Sequence, residues 1–405
     1  MKRTGALFLL PGGSLGLEPR QHISVHREGL ASRIFLRAAA HLTACMRRHA
    51  AALAAVLLLA FAGPCPAQVV EVLRAAPEFP KNAVWLDAGV PHTVEGYRGK
   101  VVLVDFWEYT CINCIRDFAV VKRWYRKYHA YGFEVIGVHY GEFPMGFNVE
   151  NVRRAAARFR LPWPVVADLK GSIWNAYDSN NWPNRYLIDP KGEIVLQVIG
   201  ETGDRELENR IRGLLAKAHP EVEKVPLDAD PDTFGGRCGY PTQETYIGFA
   251  NGRGAVENPH AYSKLGQVQE FAATRPPSDG GVVLAGRWQT LPEGVTSAAA
   301  DASAYALHKY HARSLYAVLS AADPAKPVRV ELLQDGSPLA KEDAGADVRF
   351  DAKGAYLEVG EPRMYDLVKN RAFGQHILAL KPQGPGFTLL SFTYGNDCQQ
   401  EFEER

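Results

Sequence analysis

Cys111 and Cys114 carry the clearest chemistry in this 405-residue chain. They follow the apolar run Lys100-Val-Val-Leu-Val-Asp-Phe106 through Trp107-Glu-Tyr-Thr, and a helical pattern starts at them. At a three-residue spacing in a first helical turn two thiols share a face, within reach of a disulfide whose Cα atoms lie about 4.4–6.8 Å apart. A helix amino terminus has free N–H groups and the positive end of the dipole, so the Cys111 thiolate is expected to be favoured, with a pKa lowered toward roughly 3.5–7.5. The thiolate is the attacking species in disulfide exchange, which makes Cys111 the expected nucleophile and Cys114, one turn inside, the buried resolving thiol. A lone Cys-x-x-Cys is also compatible with half of a zinc site or an inert structural disulfide. Tetrahedral zinc takes four ligands, usually from two such pairs, and neither Cys238 nor Cys398 belongs to a second pair. No metal or organic cofactor is therefore expected.

Two further positions bear on that pair. Asp105 lies in an otherwise apolar strand. Either alternation turns it to solvent, or it is buried with a raised pKa and accepts the proton of Cys114 during exchange. Trp182-Pro183 opens a strand, and for an X-Pro bond trans is the default, since cis occurs in only about 5–6% of cases. Trp107 and Trp182 are the expected substrate contacts. His139 and the Glu142-Phe-Pro loop end a strand at the same sheet edge and read as packing and loop residues.

These residues need a framework. Lys100–Phe106 reads as a strand buried on both faces. Ile115, Phe118, Val121, Tyr125 and Tyr128 recur at helical spacing from the cysteines to about residue 130. Phe133–His139 is the next strand, Val149–Arg160 a helix, Pro164–Ala167 a short strand and Ser172–Tyr177 a short helix. Asn184–Asp189, a Pro-Lys-Gly turn and Glu193–Ile199 form a hairpin, and a last helix turns Leu207, Ile211, Leu214 and Leu215 inward. The order β-α-β-α-β-α-β-β-α predicts an α/β domain with a mixed central sheet covered by helices, over residues 68–220.

Residues 221–241, rich in Pro, Gly and acid, read as a linker. From 242 to 405 short alternating strands with Gly, Pro and Asp turns predict an all-β sandwich or jelly roll. Cys238 and Cys398 flank that domain and are expected to form a structural disulfide closing it. Trp288, Tyr310 and Tyr316 are candidates for an exposed aromatic platform that would bind glycan; a scaffold or client-docking surface is the alternative.

The composition sets bounds on partners and compartment. With 46 Lys+Arg against 45 Asp+Glu there is no basic excess for nucleic acid. Residues 46–67 have a basic start, an apolar run of about thirteen residues and a small residue after helix breakers, which is the pattern of a signal peptide. That run is short against the roughly 20 residues of a membrane span. Cleavage is expected after Ala67, with Met46 as the true start and residues 1–45 an artefact of gene calling. The mature protein is then periplasmic or secreted, where disulfides persist.

Thr-Cys-Ile-Asn-Cys-Ile-Arg after Val-Val-Leu-Val-Asp-Phe-Trp, the Val-Ile-Gly-Val-His strand and Trp-Pro-Asn-Arg-Tyr-Leu-Ile-Asp together resemble the thioredoxin fold of the TlpA and DipZ type, over about residues 84–218. The resemblance implies an exported thiol–disulfide oxidoreductase with Cys111 and Cys114 as the redox pair, Pro183 as a cis-proline and Asp105 as the buried acid. It also implies a carboxy-terminal β-sandwich similar to carbohydrate-binding modules, protein dithiol or disulfide clients, and a separate membrane protein as electron donor or acceptor. Ile-Asn replaces thioredoxin's Gly-Pro between the cysteines, so the resemblance leaves the direction of electron flow open. The rivals are a thiol peroxidase on the same fold, which usually has a Thr three residues before the reactive cysteine, and a glycan-binding module with a secondary redox domain.

Overall fold

The computed structural model describes residues 69–87, 92–201, 203–228, 240–300 and 303–395. The expected signal peptide and the expected Cys238–Cys398 disulfide lie outside the described residues. The first domain is built on a seven-stranded mixed sheet: β1 (Val69–Ala75), β2 (Val84–Trp85), β3 (Val101–Trp107), β4 (Phe133–His139), β5 (Val165–Ala167), β6 (Asn184–Ile188) and β7 (Glu193–Ile199). Their spatial order is β1-β7-β6-β3-β4-β5-β2. β3, β4 and β5 are parallel, while β6 runs antiparallel to β3 on one side and to β7 on the other.

Every residue of β3 is buried because both faces of the sheet are covered. Val101, Leu103 and Trp107 face the core shared with helix α1 (Ile112–Tyr128), whereas Val102, Val104 and Phe106 pack with Ile136, Val138 and Tyr186 on the other side. Helices α2 (Val149–Arg158), α3 (Ser172–Ala176) and α4 (Asp204–Leu215) complete the layers. Asn148 caps α2, its side chain accepting from the N–H of Glu150 and Asn151. The edge strands β1 and β2 are additions to the expected order. β1 is held to β7 by antiparallel backbone pairing while most of its side chains stay exposed, so it has no strong apolar alternation.

The expected linker starts later than its composition suggested. Pro220–Lys224 forms a 3-10 turn whose Val222 is fully buried in the α1 core, and Asp228 pairs with Arg123 and Lys127 of α1. Its first residues therefore belong to the first domain.

The second domain is all β: β8 (Thr245–Tyr246), β9 (Val268–Phe271), β10 (Val282–Thr290), β11 (Val295–Ser297), β12 (Tyr305–Ala321), β13 (Val328–Gln334), β14 (Ser337–Pro338), β15 (Arg349–Asp351), β16 (Gly354–Val359), β17 (Arg363–Pro382) and β18 (Phe387–Gly395). The long strands β12 and β17 run antiparallel along each other, with register shifts between Ala312 and Tyr316. The first half of β12 also pairs with β10 and the second half with β18, so the sheet folds over one continuous apolar core. Trp288 and Tyr310 point into the sandwich core and Tyr316 is buried against Ile112 of the first domain, which corrects their expected role as an exposed sugar platform. The Trp288 Nε1–H donates to the Ala285 carbonyl at 2.8 Å, and the Tyr310 hydroxyl donates to Gln334 at 2.7 Å. Alternation identified the strands but not which face each aromatic would take.

Candidate active site

β3 delivers the chain to α1 at the cysteines. Cys111 is the N-cap of α1, in extended backbone, and its Sγ accepts from the backbone N–H of Cys114 at 3.4 Å. Both thiols are free; Cys111 is half-buried and Cys114 is buried in the core with Trp107 and Phe118. One thiol is therefore at the surface of the site and the other is covered one helical turn behind it.

Asp105 is 1% exposed and shares the α1-facing side of β3 with Leu103 and Trp107. Neither carboxylate oxygen has a hydrogen-bond partner. Burial pushes its pKa up to about 7, against the pull of the Arg185 guanidinium opposite it on β6. Arg185 is itself fully buried and donates from one nitrogen to Asp117 of α1 and to Asp204 of α4, each at 2.8 Å. Burial also raises Asp117 and Asp204. Three carboxyl groups around one guanidinium favour keeping a proton among them. Asp117, Arg185 and Asp204 were missed by sequence reasoning, since each looks like an ordinary polar position of its own element.

The Trp182–Pro183 peptide bond is cis, and the Pro183 carbonyl accepts from the N–H of Gly200 at 2.9 Å. Trp182 is partly buried and packs on Trp174, with ring centroids 4.7 Å apart, and on Tyr140 at 6.2 Å. Trp107, expected to touch substrate, is fully buried edge-on to Phe118 and His139. It is a core residue beneath the site, because the β3 face it occupies is roofed by α1. His139 stacks on Tyr109. Glu108 beside them is fully buried; its Oε2 accepts from the backbone N–H and hydroxyl of Thr110 and its Oε1 is 3.6 Å from His139 Nε2.

The sandwich packs over this end of the redox domain. Ile112, the residue after Cys111, is buried with Tyr316 of β12 and Met364 of β17. Phe143 is buried with Val318 and Leu390. The Tyr246 hydroxyl donates to the Glu142 carboxylate, and Asn251 donates to the Glu142 carbonyl at 3.1 Å. The consequence contradicts the expected low thiol pKa. Burial raises Cys111 above the usual thiol value, opposed by the hydrogen bonds from Cys114 and reinforced by Glu244 and Glu142. Burial raises Cys114 further, and burial together with Glu244 and Glu108 lifts Glu142 to about 8.

Residues 72–197 match the AhpC/TSA family, and residues 242–395 match the family described as thioredoxin like C-terminal domain. Among solved structures, a thiol:disulfide interchange protein DsbE from Chlorobium tepidum is 27% identical, with a TM-score of 0.32, over 36% of this chain and 99% of that one. The thiol-disulfide oxidoreductase ResA of Geobacillus kaustophilus is 30% identical over 145 residues, which is 36% of this chain and 79% of ResA. The chain belongs to the thioredoxin-like thiol–disulfide oxidoreductases. Within that class it is of the TlpA and DipZ type: the protein DipZ of Mycobacterium bovis is 32% identical over 335 residues, or 80% of this chain. The chain spans 44% of that relative's length.

Proposed function

We propose that this is an exported thiol–disulfide oxidoreductase that exchanges disulfides with protein clients through Cys111-Ile-Asn-Cys114. Cys111 attacks one sulfur of a client disulfide, the other client sulfur leaves as a thiolate, and Cys114 then displaces the client from Cys111 to close the Cys111–Cys114 disulfide. Asp105 accepts the proton that Cys114 gives up, and the cis bond before Pro183 turns backbone toward the pair for a client strand to align on, with Trp182 beside it. The observation that carries this reading is the arrangement at the head of α1: an accessible N-cap thiol, a buried thiol three residues on, and an unpartnered buried carboxyl on the strand face behind them. In insulin reduction the Cys111→Ser variant should be inactive, while Cys114→Ser should accumulate a client mixed disulfide at Cys111. Unreduced activity in Cys111→Ser would remove the proposal.

Export is supported by the residue 46–67 pattern, and amino-terminal sequencing of the secreted protein should begin near Gln68. Electrons are exchanged with a separate membrane protein in this reading. The AhpC/TSA match favours one second reading, a thiol peroxidase. Glu108 occupies the position three before Cys111 where that chemistry usually has Thr. Peroxide consumption matching the rate of disulfide exchange would favour it.

A further inference from the structure

Several parts of the site meet at the two residues that follow β7. The Gly200 N–H donates to the Pro183 carbonyl at 2.9 Å, and the Gly200 carbonyl accepts from the buried Arg185 guanidinium at 3.1 Å. Gly200 has a φ of 85°, a left-handed conformation that a side chain would strain. The next residue, Glu201, takes a two-pronged ion pair from Arg116 of α1: Arg116 Nε donates to Oε1 at 2.6 Å and a terminal guanidinium nitrogen to Oε2 at 2.9 Å. That same terminal nitrogen donates to Asn113 Oδ1 at 2.7 Å, and Asn113 stands between the two cysteines. A continuous chain of contacts therefore runs from the Pro183 loop through Gly200, Glu201 and Arg116 to the dipeptide of the redox motif. The Arg116 and Glu201 side chains are only 19% and 27% exposed, so the fork-to-carboxylate pair is partly shielded from water. Helix electrostatics do not account for it. Arg116 places a cation near the positive end of α1, whose own first turn carries no acid, and the counter-charge comes instead from the loop after β7.

We propose that Arg116 and Glu201 are positioning residues for protein clients: they lock the Pro183 loop to the dipeptide between the cysteines, so that a client strand lying on that loop brings its disulfide into line with the Cys111 sulfur. The inference rests on Cys111 and Cys114 being the exchanging pair and adds how a protein client, as distinct from a small disulfide, is brought to them. The attacking sulfur must meet the client disulfide along the bond that breaks, and a misplacement of about 1 Å can cost roughly 100-fold in rate. A small disulfide turns freely to meet the thiolate. One held in a protein strand takes its direction from the loop on which that strand lies, and so depends on how firmly the loop is fixed to the head of α1.

The test uses the full mature chain, reduced and then mixed with increasing amounts of insulin or of hydroxyethyl disulfide. Acid quenching and mass spectrometry follow the Cys111–Cys114 disulfide, giving a limiting rate and a half-saturating concentration for insulin and a rate for the small disulfide. Glu201→Ala and Arg116→Met should each lower the insulin rate at low concentration about tenfold more than the hydroxyethyl disulfide rate, with the half-saturating insulin concentration raised. The double variant should lose no more than either single one, since both changes break the same contact. Glu201→Gln, whose side-chain carbonyl still accepts from Arg116, should recover part of the loss. Equal losses with both disulfides, losses that add in the double variant, or an unchanged insulin rate in Glu201→Ala would overturn the inference. If Arg116→Met does not fold, Glu201→Ala and Glu201→Gln decide, since Glu201 lies in the loop after β7 and not in the core. An unmodified chain that reduces neither disulfide would overturn the exchange reaction itself, and this inference with it.

Discussion

A carboxyl inside an apolar strand is tolerated at Asp105 because Arg185 lies opposite it and because the group can hold a proton. Its pKa of about 7 exceeds the ordinary aspartate value of 3.8, so the folded state binds a proton that the unfolded chain releases between about pH 4 and pH 7. Stability from this group is therefore fully present below about pH 4 and lost as pH rises through 7. Asp105→Asn should flatten that slope and raise stability at pH 8, on the order of 2–3 kcal/mol in urea unfolding. The same variant should slow the Cys114 step by roughly 100-fold and erase the pH dependence near 7. An unchanged rate profile would assign Asp105 to structure alone. Removing Arg185, by Arg185→Met, leaves Asp117 and Asp204 buried without their cation and should cost about 3–5 kcal/mol.

At the scale of elements, β3 and α1 were legible because their signals are local: a continuous apolar run, then cysteines one helical turn apart. β1 was not, since an edge strand held by backbone pairing with exposed side chains carries little apolar alternation. The acid cluster around Arg185 was hidden for another reason: its members lie on α1, β6 and α4 and meet only through tertiary packing. The head of α1 is where local and tertiary effects oppose each other. Its N-terminus favours a thiolate at Cys111, yet Ile112 draws the turn under Tyr316 and Met364. Ile112→Ala should cost about 2 kcal/mol through lost burial. It should also speed Cys111 alkylation at pH 7 by readmitting water. Unaltered stability and alkylation would mean that the sandwich does not cover this turn in solution.

Across the whole molecule the division into a redox domain and a β domain was readable from the change of periodicity near residue 242, but the packing of one on the other was not. Nothing in the sequence ties Tyr246 to Glu142, 104 residues apart. Nor does it pair Ile112 with Met364. The same blindness misplaced Trp288, Tyr310 and Tyr316, whose strands were recognised while their burial, in the sandwich core for the first two and against Ile112 for the third, was not. Once the domains are packed, a client approaching Cys111 meets a site with one wall from each, at a chain net charge of +1 that offers little long-range steering.

The most direct test is the reduction potential of the unmodified mature chain against a glutathione series, with mass spectrometry locating the disulfide that forms. A Cys111–Cys114 disulfide with a potential at or below about −270 mV is the predicted result, that of a protein that reduces its clients. A potential near −120 mV, the range of a strong oxidant, or a pair that forms no disulfide, would contradict the account.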